Sequence, residues 1–272
     1  MTRHSPVPAD MGDLELVQAT WRLELGEVGD IGQFDDPVLA YDRLAHSYAE
    51  LAHRREGYLI AVEREILERV PANSKSLLDI GAGDGNRAFR IASQAGIRRI
   101  VLVEPSEKMI GQTPNGAEIW RTRAEELGGR PSDEKFDVIT CLWNVLGHVR
   151  GMAHRSRALG AAQNLLSDEG KLFLDVTHRY NVGSYGLVPT AVRFLYDSFA
   201  PSHANGDVVA SWDIGESCIS TYGHVFTHRE IMHLALASGL KLGERVVIDY
   251  QDGQVRASAF QGNLLYVFRS HL

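Results

Sequence analysis

Short apolar runs along the chain alternate with stretches in which apolar residues recur at helical spacing. The runs predict buried parallel strands, and the periodic stretches predict amphipathic helices. This alternation of strand and helix predicts a doubly wound, Rossmann-like α/β sheet. The predicted strands occupy residues 76–80, 100–104, 117–120, 135–143 and 171–176, and the main predicted helices occupy residues 56–70, 86–94 and 152–166.

The pattern changes after the fifth predicted strand. Residues 191–196 predict a short helix or strand, and residues 207–213 and 216–225 alternate as two antiparallel strands with a turn between them. An insertion at this point of an α/β fold is well placed to cover a substrate. Because such segments vary freely, we expect this one to set specificity.

The C-terminal residues return to patterns typical of the core. Thr227 and Glu230 form a capping box that begins a helix. Strands predicted at 242–250 and 263–269 are joined by a connection too short for a crossover helix, so they must pair antiparallel. We therefore expect a seven-stranded sheet whose last strand is antiparallel.

The first 35 residues or so are polar, with scattered Pro, Gly and acidic residues. One apolar face, formed by Leu14, Leu16, Val17 and Trp21, predicts a short helix here. A mobile tail is the alternative, since chain termini are often poorly ordered.

Composition limits the classes of function. The chain has 272 residues and a net charge of −7, with an ordinary globular composition. The negative charge disfavours wide nucleic-acid binding, which needs a basic face. Cys141 and Cys218 lie far apart and indicate neither a disulfide framework nor a metal site. Without a signal peptide or a run of membrane-spanning length, we expect a cytoplasmic protein with no membrane partner.

The clearest motif follows the first predicted strand. The strand contains Asp79, and three alternating glycines in the range 81–85 then lead into a helix. Glycines there permit positive φ and leave room for a ligand beside a helix N-terminus. The next strand ends at Glu104, close to the spacing at which an acid binds the ribose hydroxyls of a nucleotide.

Two cofactor classes fit this arrangement. A dinucleotide would want the spacing G-x-G-x-x-G, whereas the glycines here run G-x-G-x-G. Asp79 would also repel a pyrophosphate at short range. The same acid suits a cofactor that carries an ammonium group, and S-adenosylmethionine has such a group together with a sulfonium and a ribose.

Class I S-adenosylmethionine-dependent methyltransferases carry two motifs that this chain resembles, in Leu78-Asp79-Ile80-Gly81-Ala82-Gly83-Asp84-Gly85 and in Val103-Glu104-Pro105-Ser106. The resemblance extends from about Tyr41 to the C-terminus. The string around Cys141 and His148 resembles small-molecule N-methyltransferases of the amino-sugar and glycine-sarcosine type. The resemblance implies an N-terminal helical cap on the cofactor and a small antiparallel lid inserted after the fifth strand.

The resemblance also implies roles for single residues. Tyr48 and Arg55, with Arg54 as the alternative arginine, would face the methionine end of the cofactor. Arg123 stands where the family usually has an acid, so the adenine contact passes to the Ala124 backbone or to Glu125. The full predicted cofactor set is Tyr48, Arg55, Asp79, Gly81, Ala82, Gly83, Glu104, Pro105, Met109, Ala124, Glu125 and Leu142.

Candidate catalytic and substrate residues follow the fourth and fifth strands, where ligands of open α/β sheets bind. His148 could serve as a base or orient the substrate, and a structural hydrogen bond is the alternative. His178 and Tyr180 are the other candidate bases. No metal is expected, because methyl transfer from a sulfonium mainly needs alignment and exclusion of water. The predicted substrate contacts are Trp143, Asn144, Arg179, Tyr185 and Trp212.

These patterns divide the chain into an N-terminal arm and cofactor cap (1–56), a cofactor-binding core (57–181), a substrate lid (182–225) and a core completion (226–272). We expect an N-methyltransferase of small molecules, with O-methylation as the alternative. A nicotinamide-dependent oxidoreductase and a non-catalytic cofactor-binding partner protein are the alternatives from other classes. The sequence leaves a homodimer open.

Overall fold

The computed structural model describes residues 19–22, 35–129, 133–214 and 217–271. Among these residues, no helix is both long and apolar enough to cross a membrane. The strands are β1 (Ala19–Arg22), β2 (Ser76–Ile80), β3 (Arg99–Val103), β4 (Glu118–Trp120), β5 (Phe136–Cys141), β6 (Leu166–Val176), β7 (Asp207–Ile214), β8 (Ser217–His224), β9 (Leu240–Ile248), β10 (Val255–Arg256) and β11 (Asn263–Ser270). The α-helices are α1 (Pro37–Leu44), α2 (Tyr48–His53), α3 (Glu56–Leu67), α4 (Asn86–Ala95), α5 (Glu107–Ile110), α6 (Val145–His148), α7 (Met152–Leu165), α8 (Val182–Tyr185), α9 (Leu187–Phe199) and α10 (His228–Ala237).

The main sheet has the strand order β10-β9-β11-β6-β5-β2-β3-β4. Strands β2 to β6 pair parallel, whereas β11 is antiparallel to both β6 and β9. The Rossmann-like prediction with a reversed last strand is therefore confirmed. The sheet has eight strands, one more than expected, because the two-residue β10 adds to its edge.

Successive residues of the central strands pack against opposite layers of helices. Leu78 and Leu172 belong to a buried cluster that also holds residues of α7 and α10. Leu77 and Phe173, their neighbours in the chain, belong to a second cluster with residues of α3 and α4. Burial on both faces explains why these strands read as continuous apolar runs in the sequence.

Strands β7 and β8 form the predicted hairpin, and β1 extends it to a three-stranded antiparallel sheet. The predicted helix at 14–21 is wrong for residues 19–21, which lie in β1. Its other residues, 14–18, lie outside the described part of the chain. Where the sequence left helix or strand open at 191–196, the structure has helix α9. The predicted capping box is present at Thr227 and Glu230, at the start of α10.

Candidate active site

The glycine loop joins β2 to α4 at the carboxyl end of the sheet. Gly81 and Gly83 have φ values of 72° and 58°. A Cβ on Gly83 would lie 3.1 Å from the terminal methyl carbon of Met109 and 3.2 Å from the Tyr48 hydroxyl oxygen. The amide of Gly81 donates to the Val103 carbonyl oxygen at 2.8 Å, which fixes the loop against β3. The loop therefore needs glycine both for its conformation and for its close approach to Tyr48.

Glu104 lies directly below this loop, at the end of β3. Its Oε2 accepts the Gly83 amide at 2.9 Å, and its Oε1 accepts the Ser106 amide at 2.8 Å. Burial raises the pKa of Glu104 to about 7, although the two amides act in the opposite direction. The carboxyl group is held rigidly and is poised to receive further hydrogen bonds.

Asp79 is buried one layer deeper. It is 2% exposed, and its Oδ1 accepts the Thr140 hydroxyl at 2.7 Å. Burial raises the pKa of Asp79 to about 6, while the charge of Arg87 and the Thr140 hydroxyl lower it. Asp79 does not line the cavity described next, but its charge helps to raise the pKa of Glu104.

A cavity with a largely apolar lining opens above Glu104. The structure brings the following predicted cofactor residues together on its wall: Tyr48, Gly81, Gly83, Glu104, Pro105, Ala124, Glu125 and Leu142. It does not bring Arg55, Asp79, Ala82 or Met109 to that wall. Met109 is fully buried beneath Gly83.

Arg87 lines the cavity in place of the expected arginine. Arg55 donates to Gln251 at 3.0 Å and lies over the Tyr250 ring at 4.6 Å, while Arg54 pairs with Glu50. The Arg87 Nη1 is buried without a hydrogen-bond partner among the described residues. Sequence reasoning missed Arg87, yet it left a signal, because a cation in the first turn of a helix is unfavourable and suggests another role.

Arg123, which departs from the family pattern, also lines the cavity. Its guanidinium donates to Asp36 at 2.7 Å. Asp36 caps α1 by accepting the Val38 amide at 2.9 Å. The pair therefore connects the N-terminal helix to the loop after β4 across the cavity, although an exposed pair of this kind adds little stability.

Trp143 and Asn144 have positive φ values of 55° and 62°, which is uncommon for residues other than glycine. Asp175 holds this backbone, because its Oδ2 accepts the Trp143 amide at 2.9 Å and its carbonyl oxygen accepts the Asn144 amide at 3.1 Å. Trp143 consequently lines the cavity. Asn144 does not line it, because its side chain bonds the backbone of His224 and Thr177.

His148 lines the cavity with a defined tautomer. A carbonyl oxygen can only accept, so His148 Nδ1 donates to the Tyr222 carbonyl at 2.9 Å. Nε2 is then the basic nitrogen, and it accepts the Tyr41 hydroxyl at 3.1 Å. Burial lowers the pKa of His148 and raises that of Tyr41, so the pair is neutral at pH 7. The Trp212 ring lies behind the pair, with centroids 5.8 Å from Tyr41 and 6.4 Å from His148.

The other candidate bases lie away from this cavity, beneath α8 and α9. His178 is 3% exposed, and burial lowers its pKa to about 4. Tyr180 donates to Asp197 at 2.7 Å. Arg179 donates to both oxygens of Glu230 at 2.7 Å and to Asp197 at 3.2 Å, so its charge is already neutralised. Tyr185 is in the same region, under the Arg193 guanidinium.

No group of three or more His, Cys, Asp and Glu side chains suited to a metal ion occurs in the described part of the chain. The side chains around the cavity instead offer a carboxylate, a guanidinium, aromatic rings and a neutral imidazole. Such a set can hold a cofactor with a ribose, a cationic centre and a carboxylate.

Residues 51–244, more than half of the chain, match the family model described as a methyltransferase domain. A protein of Methanocaldococcus jannaschii described as uncharacterized is 26% identical over 142 residues, which are 52% of this chain and 52% of that relative. The match thus spans about half the length of the curated relative.

Solved structures share the fold over most of the chain. The CcbJ methyltransferase from Streptomyces caelestis has a TM-score of 0.63 and 19% identity, covering 88% of this chain and 100% of its own. A protein of Thermotoga maritima described as a SAM-dependent methyltransferase and possible histamine N-methyltransferase has a TM-score of 0.55 and 17% identity, covering 86% and 99%.

Proposed function

Since the chain belongs to the methyltransferase-domain family, we propose that it transfers a methyl group from S-adenosylmethionine to an amine of a small molecule. The observation that carries the proposal is the arrangement of Glu104, the glycine loop and Arg87 around one cavity. The expectation of S-adenosylmethionine as cofactor is confirmed by the family and by the descriptions of its structural relatives.

The residues of the cavity fit this cofactor. Glu104 keeps lone pairs for the two ribose hydroxyls after accepting its two amides. The unpartnered Nη1 of Arg87 suits the carboxylate of the methionine end, where the sequence suggested Arg55. The Tyr48 and Trp143 rings, with centroids 5.8 Å apart, suit the positive sulfonium.

When bound, the cofactor supplies an electrophilic methyl group on a good leaving group. The protein then mainly has to align the acceptor nitrogen and exclude water. Tyr41 points its hydroxyl hydrogen at His148 Nε2, which leaves the oxygen lone pairs free to accept a proton from the acceptor. His148 is neutral and holds its other proton on the Tyr222 carbonyl, so it can take the Tyr41 proton in the same step.

The choice of nitrogen as acceptor rests on the aromatic surroundings and on the similarity to the possible histamine N-methyltransferase of Thermotoga maritima. Tyr41, Tyr48 and Trp143 all line the cavity, and aromatic faces attract ammonium groups before deprotonation. We assign residues 182–225 to covering the acceptor and residues 1–56 to covering the cofactor.

The proposal is tested by incubating the protein with S-adenosylmethionine and a panel of small amines, each paired with the alcohol of the same skeleton, and by detecting methylated products by mass spectrometry. We expect cofactor-dependent methylation of at least one amine. Glu169→Gln, an exposed substitution away from the cavity, serves as the control. Methylation confined to the alcohols would move the assignment to O-methylation, and cofactor binding without product on any member would contradict the catalytic assignment.

A further inference from the structure

The buried residues of helix α9 are polar, and its apolar residues are exposed. Of its 13 residues, Thr190 and Arg193 are the buried ones. Val188 is 71% exposed and Phe199 is 87% exposed. Surface helices normally show the opposite arrangement, with apolar side chains facing the core. The inward face of α9 is therefore suited to a polar contact and not to core packing.

Arg193 is a buried cation that makes no ion pair with the described residues. The residue is 8% exposed, and its Nη1 has no hydrogen-bond partner among the described residues. The neighbouring acid, Asp197, is already occupied by Tyr180, Asn205 and Arg179 at 2.7, 2.8 and 3.2 Å. An unpaired charge in such surroundings is strongly unfavourable unless a ligand completes it.

Tyr185 supplies a second unsatisfied group at the same place. The Arg193 guanidinium lies 5.9 Å from the centre of the Tyr185 ring. The Tyr185 hydroxyl oxygen is also buried without a partner in the described part of the chain. A guanidinium only donates hydrogen bonds, and a phenol donates one, so together they fit a group of negatively charged oxygen atoms.

Both residues belong to the segment after β6 that we assign to covering the acceptor, Tyr185 on α8 and Arg193 on α9. Neither residue lines the cavity above Glu104. An acceptor that binds both the cavity and this pair would therefore extend beyond the cavity wall.

We propose that Arg193 and Tyr185 bind an anionic oxygen group, a carboxylate or a phosphate, that the methyl acceptor carries apart from its amine. This assignment rests on the proposed function in one respect, since it takes the bound anion to be part of the acceptor. On this proposal, the substrate is an amine that also carries a separate acidic group. The segment after β6 then selects substrates that carry that group.

The test compares three probes of similar skeleton, namely ethanolamine, O-phosphoethanolamine and β-alanine, at constant ionic strength. Binding is followed by the melting temperature and by calorimetry, with and without S-adenosylhomocysteine. We expect at least one anionic probe to raise the melting temperature more than ethanolamine does. Comparison of O-phosphoethanolamine with β-alanine shows which anion the site prefers.

Arg193→Gln should weaken binding of the preferred anionic probe at least tenfold, and Tyr185→Phe should weaken it less. Arg229→Gln is the matched control, because Arg229 is exposed on α10. It should bind the probe as the wild type does.

A second readout separates a binding role from a structural one. Without any probe, Arg193→Gln should melt at a higher temperature than the wild type, because it removes an unpaired buried charge. A lower melting temperature with unchanged probe affinity would make Arg193 structural and overturn the proposal. So would a wild type that gains no stability from either anion. Binding is measured without methyl transfer, so failure of the catalytic assignment would show separately, as absent turnover with intact anion binding.

Discussion

The Glu104 carboxyl group is held in a place that favours its protonated form. Its pKa of about 7 lies above the ordinary value of Glu, and burial is the main cause. The folded protein therefore holds a proton on Glu104 between about pH 4.5 and pH 7 that the unfolded chain releases. Stability should therefore fall as the pH rises through this range. Asp79 should lower stability in the same direction over a narrower range, up to about pH 6.

We predict that the free energy of unfolding of the cofactor-free wild type falls by about 1–3 kcal/mol more between pH 5 and pH 8 than that of Glu104→Gln, because the amide does not titrate. Urea denaturation at pH 5 and pH 8 measures both differences. The amide also leaves one of the two backbone N–H groups without its acceptor, but this cost is the same at both pH values. Glu169→Gln, which is exposed on β6, should show the wild-type difference. An equal fall in the wild type and in Glu104→Gln would contradict the assignment.

His148 should matter for turnover and not for cofactor affinity. We predict that His148→Gln lowers kcat by about 10²-fold or more, a usual size for loss of a general base, and leaves the Kd for S-adenosylhomocysteine nearly unchanged. Tyr41→Phe should lower kcat as well, since Tyr41 lies hydrogen-bonded to His148 Nε2.

The pH profile distinguishes a base from a structural histidine. Because burial lowers the pKa of His148, wild-type kcat should lose its His148 contribution only in solutions more acidic than about pH 6.5. His148→Gln should lack that acid limb. Equal turnover of the two proteins at every pH would remove His148 from the mechanism.

At the scale of the elements, buried ion pairs attach the segment after β6 to the rest of the fold. Arg179 links α9 through Asp197 and α10 through Glu230. Burial disfavours the Glu230 carboxylate, but the His224 ring, 3.6 Å away, and the Arg179 charge outweigh it and lower the pKa of Glu230 to about 2. Its stabilising contribution should be complete above about pH 4.5 and be lost as the pH falls toward 2.

We predict that Arg179→Met lowers the free energy of unfolding by about 3–5 kcal/mol, because it leaves two buried carboxylates uncompensated. Urea denaturation at pH 7 measures the loss, with the exposed Arg229→Gln as the control. If Arg179 instead bound the acceptor, as its position in the sequence suggested, the variant would raise KM with stability unchanged.

Element types followed from the sequence where the signal is local. The period of apolar residues defined the strands and helices of the core, and Gly81, Gly83 and Glu104 line one cavity as the motif predicted. Strand β1 had no such signal, because its partner β7 lies almost two hundred residues away and supplies the hydrogen bonds. The apolar face at 14–21 therefore predicted a helix.

The arginines show the same limit at single positions. Arg55 and Arg87 both stand near the expected motifs, but Arg55 is turned away by Tyr250 and Gln251, which come from the far end of the chain. His178 and Tyr180 follow a central strand as expected, yet the inserted helices place them outside the cavity. Which polar residue faces a ligand depends on tertiary contacts that no local pattern contains.

At the scale of the whole molecule, the proposed function requires one cofactor to bind across the ends of β2 and β3. Equilibrium dialysis with labelled S-adenosylmethionine tests this most directly. We predict saturable uptake by the wild type and a loss of roughly 1–3 kcal/mol of binding free energy in Glu104→Gln, the size expected for hydrogen bonds to a charged group. No uptake by correctly folded wild-type protein, or equal affinity of the two proteins, would contradict the account.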